Sequence, residues 1–428
     1  ERYEYGNYYG YIRAVNVGDS SYSDDLKLLY DKAGKAHRIA TENRSRKFKL
    51  ERELNDLIIP LSQLQREISL LEIENNPNIE DQLENLKRQA TDLEKEISEQ
   101  YLKLSDSIQK LTRENRGIYL KVESADGRLS ELSLSKVVRF YQTNDMNVFQ
   151  KSFLYVEKLW EFVSANPRES NTEGGVFPAI FGTVLMVLLM SIAVVPFGVL
   201  AALYLNEYAK QGTIIRLIRL SVNNLAGVPS IVFGIFGLGF FIYMVGGTID
   251  QVFFSDKLPE PTFGTGGILW ASLTLALLTL PVVVVATEEG ILAVPRANKE
   301  GALALGATRW QMVRKIILPN AMPGILTGLI LAISRGAGEV APLMITGVVK
   351  LAPSLALDGI FPFLHLDRKF MHLGFHIYDV GFQSPNVEAA KPMVYTTALL
   401  LILLVVCLNL LAIYMRNRLR KKYKTSVF

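Results

Sequence analysis

The sequence predicts an all-α polytopic membrane protein preceded by an extracytoplasmic α+β domain that contains a coiled-coil hairpin. Charge distribution, long uncharged runs and a leucine repeat carry this prediction. Residues 1–175 hold 56 of the 88 Asp, Glu, Lys and Arg residues, so two chemically different parts share the chain. Neither part has the strongly basic balance of a nucleic-acid binder, and the single cysteine excludes a disulfide scaffold.

The first domain is expected to span residues 1–150. Tyr, Val and Ile-rich stretches at about 8–17 and 118–141, the second around the turn Asp126-Gly127, predict short strands. Between them a hairpin is expected at about 40–115. Leu50, Leu54, Leu57, Leu61, Leu64, Ile68 and Leu71 follow the alternating four- and three-residue spacing of a coiled-coil seam. After the breaker Asn75-Asn76-Pro77-Asn78 a second series runs Ile79, Leu83, Leu86, Ala90, Leu93, Ile97, then Leu104, Ile108, Leu111, interrupted by Gln100. Residues 151–175 form an interfacial amphipathic helix and linker, with Phe153, Val156, Leu159, Trp160 and Val163 on one face.

The membrane domain, 176–428, has five expected spans at about 176–206, 220–249, 261–287, 316–349 and 392–415, each long enough to cross a bilayer. Basic residues select the cytoplasmic connections. They are Lys210, Arg216 and Arg219; then Arg296, Lys299, Arg309, Arg314 and Lys315; then the tail Arg416, Arg418, Arg420, Lys421, Lys422 and Lys424. A cytoplasmic C-terminus and five spans place residues 1–175 outside. That start predicts a further membrane helix upstream of Glu1.

The cytoplasmic loop 288–319 reads Glu300-Gly301-Ala302, then Gly306, then Ile316 and Leu318-Pro319. It predicts a short helix, a reversal at Gly306 and a second short helix ending before Pro319. This spacing resembles the EAA loop of ABC importer permeases, with Gly301 in place of the commoner alanine. The resemblance implies a MetI-like type I importer core in which Glu300, Gly301, Ala302 and Gly306 form a coupling helix seated in a partner ATPase, with Ala307, Thr308 and Arg309 lining the contact. No GxxxxGK[ST] motif occurs, so ATP and Mg belong to that separate polypeptide.

In the next span, Arg335 and Glu339 stand four residues apart in apolar sequence. Ionised groups at membrane depth cost roughly 2.5 to 3.5 kcal/mol each and pair or face a pathway. Two readings stand: a self-neutralising pair that locks helices, or a guanidinium that meets an oxyanion in transit while Glu339 holds it beforehand. Asn223-Asn224-Leu225-Ala226-Gly227-Val228-Pro229-Ser230 lies in another apolar run; Pro229 and its glycine point to a broken helix or to close packing. Gly324 and Gly328 have GxxxG spacing and suit a helix-packing face.

Together, Arg335-x-x-Gly338-Glu339-x-Ala341-Pro342-Leu343 and the 223–234 segment resemble the phosphate permease family PstA over 176–428, in a long form carrying an extracytoplasmic insertion. The resemblance implies a non-enzymatic subunit of an inorganic phosphate importer in the bacterial inner membrane. Arg335, Glu339, Asn223, Asn224 and Ser230 then line the substrate pathway. Implied partners are a homologous PstC-like permease, a PstB-like ATPase dimer, a PstS-like extracytoplasmic binding protein and membrane lipid. Alternatives are a permease for sulfate or molybdate, or a phosphate-sensing subunit that does not transport. His365, His372 and His376, with Asp367 and Asp379, fall close together, and no metal site is assigned to them.

Overall fold

The computed structural model describes residues 8, 10–18, 20–23, 26–74, 80–124, 126–142, 145–168, 171–359, 361–384 and 387–424. The chain divides into two compact units, Glu1–Asn147 and Val148–Phe428.

In the first unit, strands β1 (Tyr11–Val17), β2 (Ser20–Tyr22), β3 (Ile118–Glu123) and β4 (Leu129–Ser133) form an antiparallel sheet in the order β2-β1-β3-β4. Helices α1 (Leu26–Glu74) and α2 (Glu80–Arg116) are inserted between β2 and β3. Val15 pairs with Leu120, and both are buried with Ile118, Val122 and Leu134. Leu29, Ala33, Ala36 and Ala40 of α1 cover that face, at the spacing of one helix stripe. This alanine stripe explains why α1 begins at Leu26 rather than near residue 40: its first turns pack on the sheet before the coiled coil begins. The strands are also shorter than expected. β1 begins at Tyr11, and the chain beyond Ser133 leaves the sheet so that Phe140 can meet Tyr30 and His37 edge-on.

Along the hairpin the seam residues Leu50 to Leu71 are half-buried, Ile97 is buried, and Gln100 is exposed. The breaker at 75–78 and Ile79 lie outside the described residues.

The second unit opens with α3 (Val148–Ser164), which has no buried residue, and the small ribbon β5 (Pro167–Arg168) and β6 (Glu173–Gly174). Phe149, Phe153, Val156 and Trp160 are all exposed on α3. The N–H of Val176 donates to the carbonyl of Phe162 at 2.8 Å, fixing the end of α3 to the start of the first span.

Among the described residues, five helices are long and apolar enough to cross a membrane: Phe177–Tyr208, Ser230–Phe253, Ile268–Leu292, Arg309–Gly338 and Ala390–Arg418. The first is α4 (Phe177–Leu203) continued by a π turn, Tyr204–Tyr208. Next comes α5 (Thr213–Leu225), an amphipathic, largely exposed helix whose Arg216 and Arg219 precede the second span.

The second span starts at Ser230, not at 220. It comprises α6 (Ser230–Phe236), a π stretch Gly237–Gly246, and α7 (Gly247–Phe253). Pro229 has no N–H to extend α5, so the chain turns at 226–229 and restarts. The third span, α8 (Ile268–Leu292), begins later than 261 because residues 261–267 form a turn; buried Asp250 accepts from the N–H groups of Phe263 (2.8 Å) and Gly264 (2.6 Å). It packs closely on the fourth span, where a Cβ on Gly324 would lie 2.6 Å from the Cα of Gly290. The chain continues through α9 (Arg296–Ala304), α10 (Arg309–Met312), α11 (Leu318–Gly338), α12 (Ala341–Thr346), α13 (Leu373–Phe382) and α14 (Val387–Lys424). Over an 18-residue apolar stretch of each span, 67% is buried in α8 and 0% in α14, so α8 is the internal pillar and α14 the more peripheral helix of this chain.

Candidate functional site

The loop 288–319 folds into a compact knob. Its first helix, α9, ends in a Schellman turn. Ala307 N–H donates to Ala302 O at 3.1 Å, Gly306 N–H donates to Leu303 O at 3.0 Å, and Gly306 takes φ +82°. That left-handed conformation is cheap only for glycine. Two residues later Thr308 caps α10: its hydroxyl accepts from Gln311 N–H at 3.2 Å, and the Gln311 side chain accepts from Thr308 N–H at 2.9 Å. The reversal is therefore fixed by two capping motifs in series.

The second helix does not end before Pro319. α10 passes through a π turn, Val313–Ile317, straight into α11. Leu318 N–H reaches back to Val313 O, and Pro319 has no N–H to offer, so the π-to-α change falls where a donor is missing.

Glu300, Gly301, Gly306, Thr308 and Arg309 are exposed and Ala307 is half-buried. Ala302 faces the other way. It is buried in a cluster with Leu203, Leu205, Ile215 and Met312, so its small side chain seats the knob on the body of the permease. The residues that sequence reasoning missed are Leu305, 90% exposed, and Trp310, 58% exposed. Large apolar side chains at the tip of a polar loop were the available signal.

The fourth span breaks after Gly338, which corrects its expected continuation to 349. α11 stops at Gly338, Glu339 is extended (ψ 135°), and α12 restarts with Pro342 in its first turn. Gly336, Gly338 and Pro342 supply the weak helix propensity and the missing donor. Arg335 and Glu339 therefore do not share one continuous helix, although Arg335 Nε lies 3.6 Å from Glu339 Oε1. That distance is a charge contact without a hydrogen bond, and both side chains are half-buried. The guanidinium keeps a fork of donors available for a planar or tetrahedral oxyanion. Beside it Ser334 donates to Asn409 Oδ1 of α14 at 3.0 Å, a polar link between spans that the sequence did not single out.

The second span restarts next to this break. A Cβ on Gly234 of α6 would lie 2.8 Å from Pro342 Cα of α12, so the two restarted half-helices meet backbone to backbone. Ser230 at the head of α6 is half-buried; Asn223 and Asn224, at the end of α5, are exposed. No side-chain hydrogen bond joins these three to Arg335 or Glu339 among the described residues.

The histidines separate into two groups. His365 and Arg368 both approach Asp358, His365 at 3.1 Å. His372 caps α13, its Nδ1 accepting from Gly374 N–H at 3.1 Å. His376 is buried within α13, and Asp379 meets Lys350 at 3.3 Å and Asn171 at 3.3 Å. Burial drives the pKa of both His372 and His376 down from 6.5 to about 4, with Asp379 partly opposing the shift at His376.

Residues 194–422 match the family described as binding-protein-dependent transport system inner membrane component. The chain belongs to this family. It is thus a multi-pass membrane permease component, an all-α membrane domain joined to an α+β unit. Among relatives, a probable ABC transporter permease protein, YqgI, of Bacillus subtilis is 30% identical over 61% of this chain and 85% of its own length. The phosphate transport system permease protein PstA of Yersinia pestis is 32% identical over 59% of this chain and 75% of its own. The corresponding protein PstA 1 of Mycobacterium tuberculosis is 37% identical over 43% of this chain and 54% of its own.

Proposed function

We propose that this permease component forms half of the translocation pathway of an ATP-driven inorganic phosphate importer. The observation that carries the substrate is Arg335, a half-buried guanidinium at a helix break, held by Glu339 without a committed hydrogen bond. Relatives bearing the phosphate permease name support the same choice.

In this reading the chain has no ATPase site of its own and leaves ATP and Mg to a partner ATPase pair. The exposed tip of the knob, with Glu300, Gly301, Thr308, Arg309, Leu305 and Trp310, docks in that partner. Closure of the ATPase pair pushes the knob, the two interrupted spans reorient, and phosphate passes from an extracytoplasmic binding protein to the cytoplasm. A homologous permease completes the pathway. Asn223, Asn224 and Ser230 flank it from the second interruption. Residues 1–147 and α3 lie on the extracytoplasmic side, α3 with its apolar face in the lipid interface, and the C-terminus lies in the cytoplasm.

The test is ATP-driven uptake of labelled phosphate by the complex reconstituted with its co-purifying partners, with sulfate and molybdate as competitors. Uptake blocked by unlabelled phosphate alone supports the proposal. Blocking by sulfate or molybdate reassigns the oxyanion, and ATP hydrolysis without uptake reassigns the chain to sensing.

A further inference from the structure

The π turn Tyr204–Tyr208, at the cytoplasmic end of the first span, holds two adjacent polar residues that face different neighbours. Asn206 donates to Glu288 of α8 at 3.1 Å, and Arg219 of α5 donates to the same Glu288 oxygen at 3.3 Å and to Asn206 Oδ1 at 3.2 Å. Arg219 also donates to Leu205 O at 3.1 Å. This group binds the end of α4 to α5 and α8.

Glu207 points elsewhere. Its Oε1 accepts from Lys299 Nζ of the knob helix α9 at 2.7 Å, with 14% and 19% of the two side chains exposed. Two elements 92 residues apart are joined by one short, largely desolvated ion pair. Ala302 is the buried residue of α9, and Lys299 stands one turn before it on the same side. A short helix whose buried side chain is a single alanine keeps some freedom to roll about that contact even with its C-terminal turn capped. A second attachment a turn away removes the freedom.

We infer that the Glu207–Lys299 pair is a strut that sets the roll of the knob helix and carries its displacement into the first membrane span. The inference rests on the proposal that the knob is the coupling element. Single π turns within helices occur frequently at functional sites, which suits the role. Glu207 and Lys299 are positioning residues: neither touches substrate or nucleotide, and their contribution lies in transmission.

The experiment uses the complex with its ATPase and measures labelled phosphate uptake and ATP hydrolysis in the same proteoliposomes. Glu207→Ala and Lys299→Ala should each raise the ATP hydrolysed per phosphate imported about fivefold or more, while the ATPase still co-purifies. The exchange pair Glu207→Lys with Lys299→Glu should bring that ratio back to within about twofold of the parent. A residue needed only for folding would lower complex yield and leave the ratio where it was. A parental ratio in both alanine variants, or an exchange pair as uncoupled as the single variants, overturns the strut. Leu305→Glu, made alongside, tests the underlying assignment: loss of ATPase co-purification keeps the knob as the docking element, whereas retained ATPase and coupling would overturn that assignment and the strut with it.

Discussion

Two ion pairs in the same domain, Arg335–Glu339 at the break in the fourth span and Glu207–Lys299 at the C-terminal end of the first, differ in tightness and in what they join. The first joins residues four apart in one segment, at 3.6 Å, beside backbone that has left the helix. The second joins distant elements at 2.7 Å with both side chains mostly covered. A loosely held guanidinium can exchange its partner for a passing anion with little rearrangement. A tight pair between elements transmits force because it does not exchange.

The sharpest way to break this contrast is Arg335→Ala. Charged hydrogen bonds are worth about 1.5 to 3 kcal/mol each, so losing the guanidinium should lower phosphate uptake roughly a hundredfold with the complex still assembled. Uptake close to parental would remove the oxyanion role. Next in size is the reversal at Gly306: inserting two glycines after it separates the two capping motifs and should cut uptake per ATP about tenfold, read as the ratio of hydrolysis to import. A preserved ratio would show that the knob needs no fixed geometry.

Glu339→Gln is more modest and more discriminating. With its resident carboxylate gone, Arg335 should hold phosphate several-fold more tightly and release it more slowly, lowering the apparent KM and the maximal rate together. A raised KM with an unaltered rate would make Glu339 a direct ligand rather than a placeholder.

A third pair, Lys350–Asp379, lies beside buried His372 and His376 and serves as the static case. Both imidazoles fall from 6.5 to about 4 in the fold, so the unfolded chain takes up protons first as pH drops. Their stabilising contribution is complete above about pH 6.5 and is lost progressively toward pH 4, by up to roughly 3 kcal/mol each. Tm measured in detergent should fall through that window, and His372→Asn with His376→Gln should flatten the fall. The same slope in that double variant would assign the effect to carboxylates.

Much of this was legible in the sequence. Uncharged length marks a span because the bilayer admits nothing else, and the seam from Leu50 to Leu71 repeats often enough to identify itself. Gly306 announced a reversal because a glycine adopts the left-handed backbone of a tight turn at little cost. Boundaries at the interruptions were less legible. A run of apolar residues reads the same whether the backbone is helical or turning, so the restarts at Ser230 and Ala341 depended on packing between Gly234 and Pro342. The burial of Ala302 within the knob was not legible for a related reason: periodicity over nine helical residues does not say which neighbour a face will meet. The link between Glu207 and Lys299 could not be anticipated, since nothing in either local pattern points to a residue 92 positions away.

The difference between α8 and α14 reaches beyond mechanism. A helix two-thirds buried, with glycine set against glycine at Gly290 and Gly324, leaves few alternatives for the residues on its packed faces, whereas much of α14 faces away from the rest of the chain. In a library of random alleles selected for growth on limiting phosphate, surviving variants should be scarce across Ile268–Leu292 and plentiful across the outer face of Ala390–Arg418. The oldest record of how this permease works would then be preserved in its third span and erased fastest from its fifth.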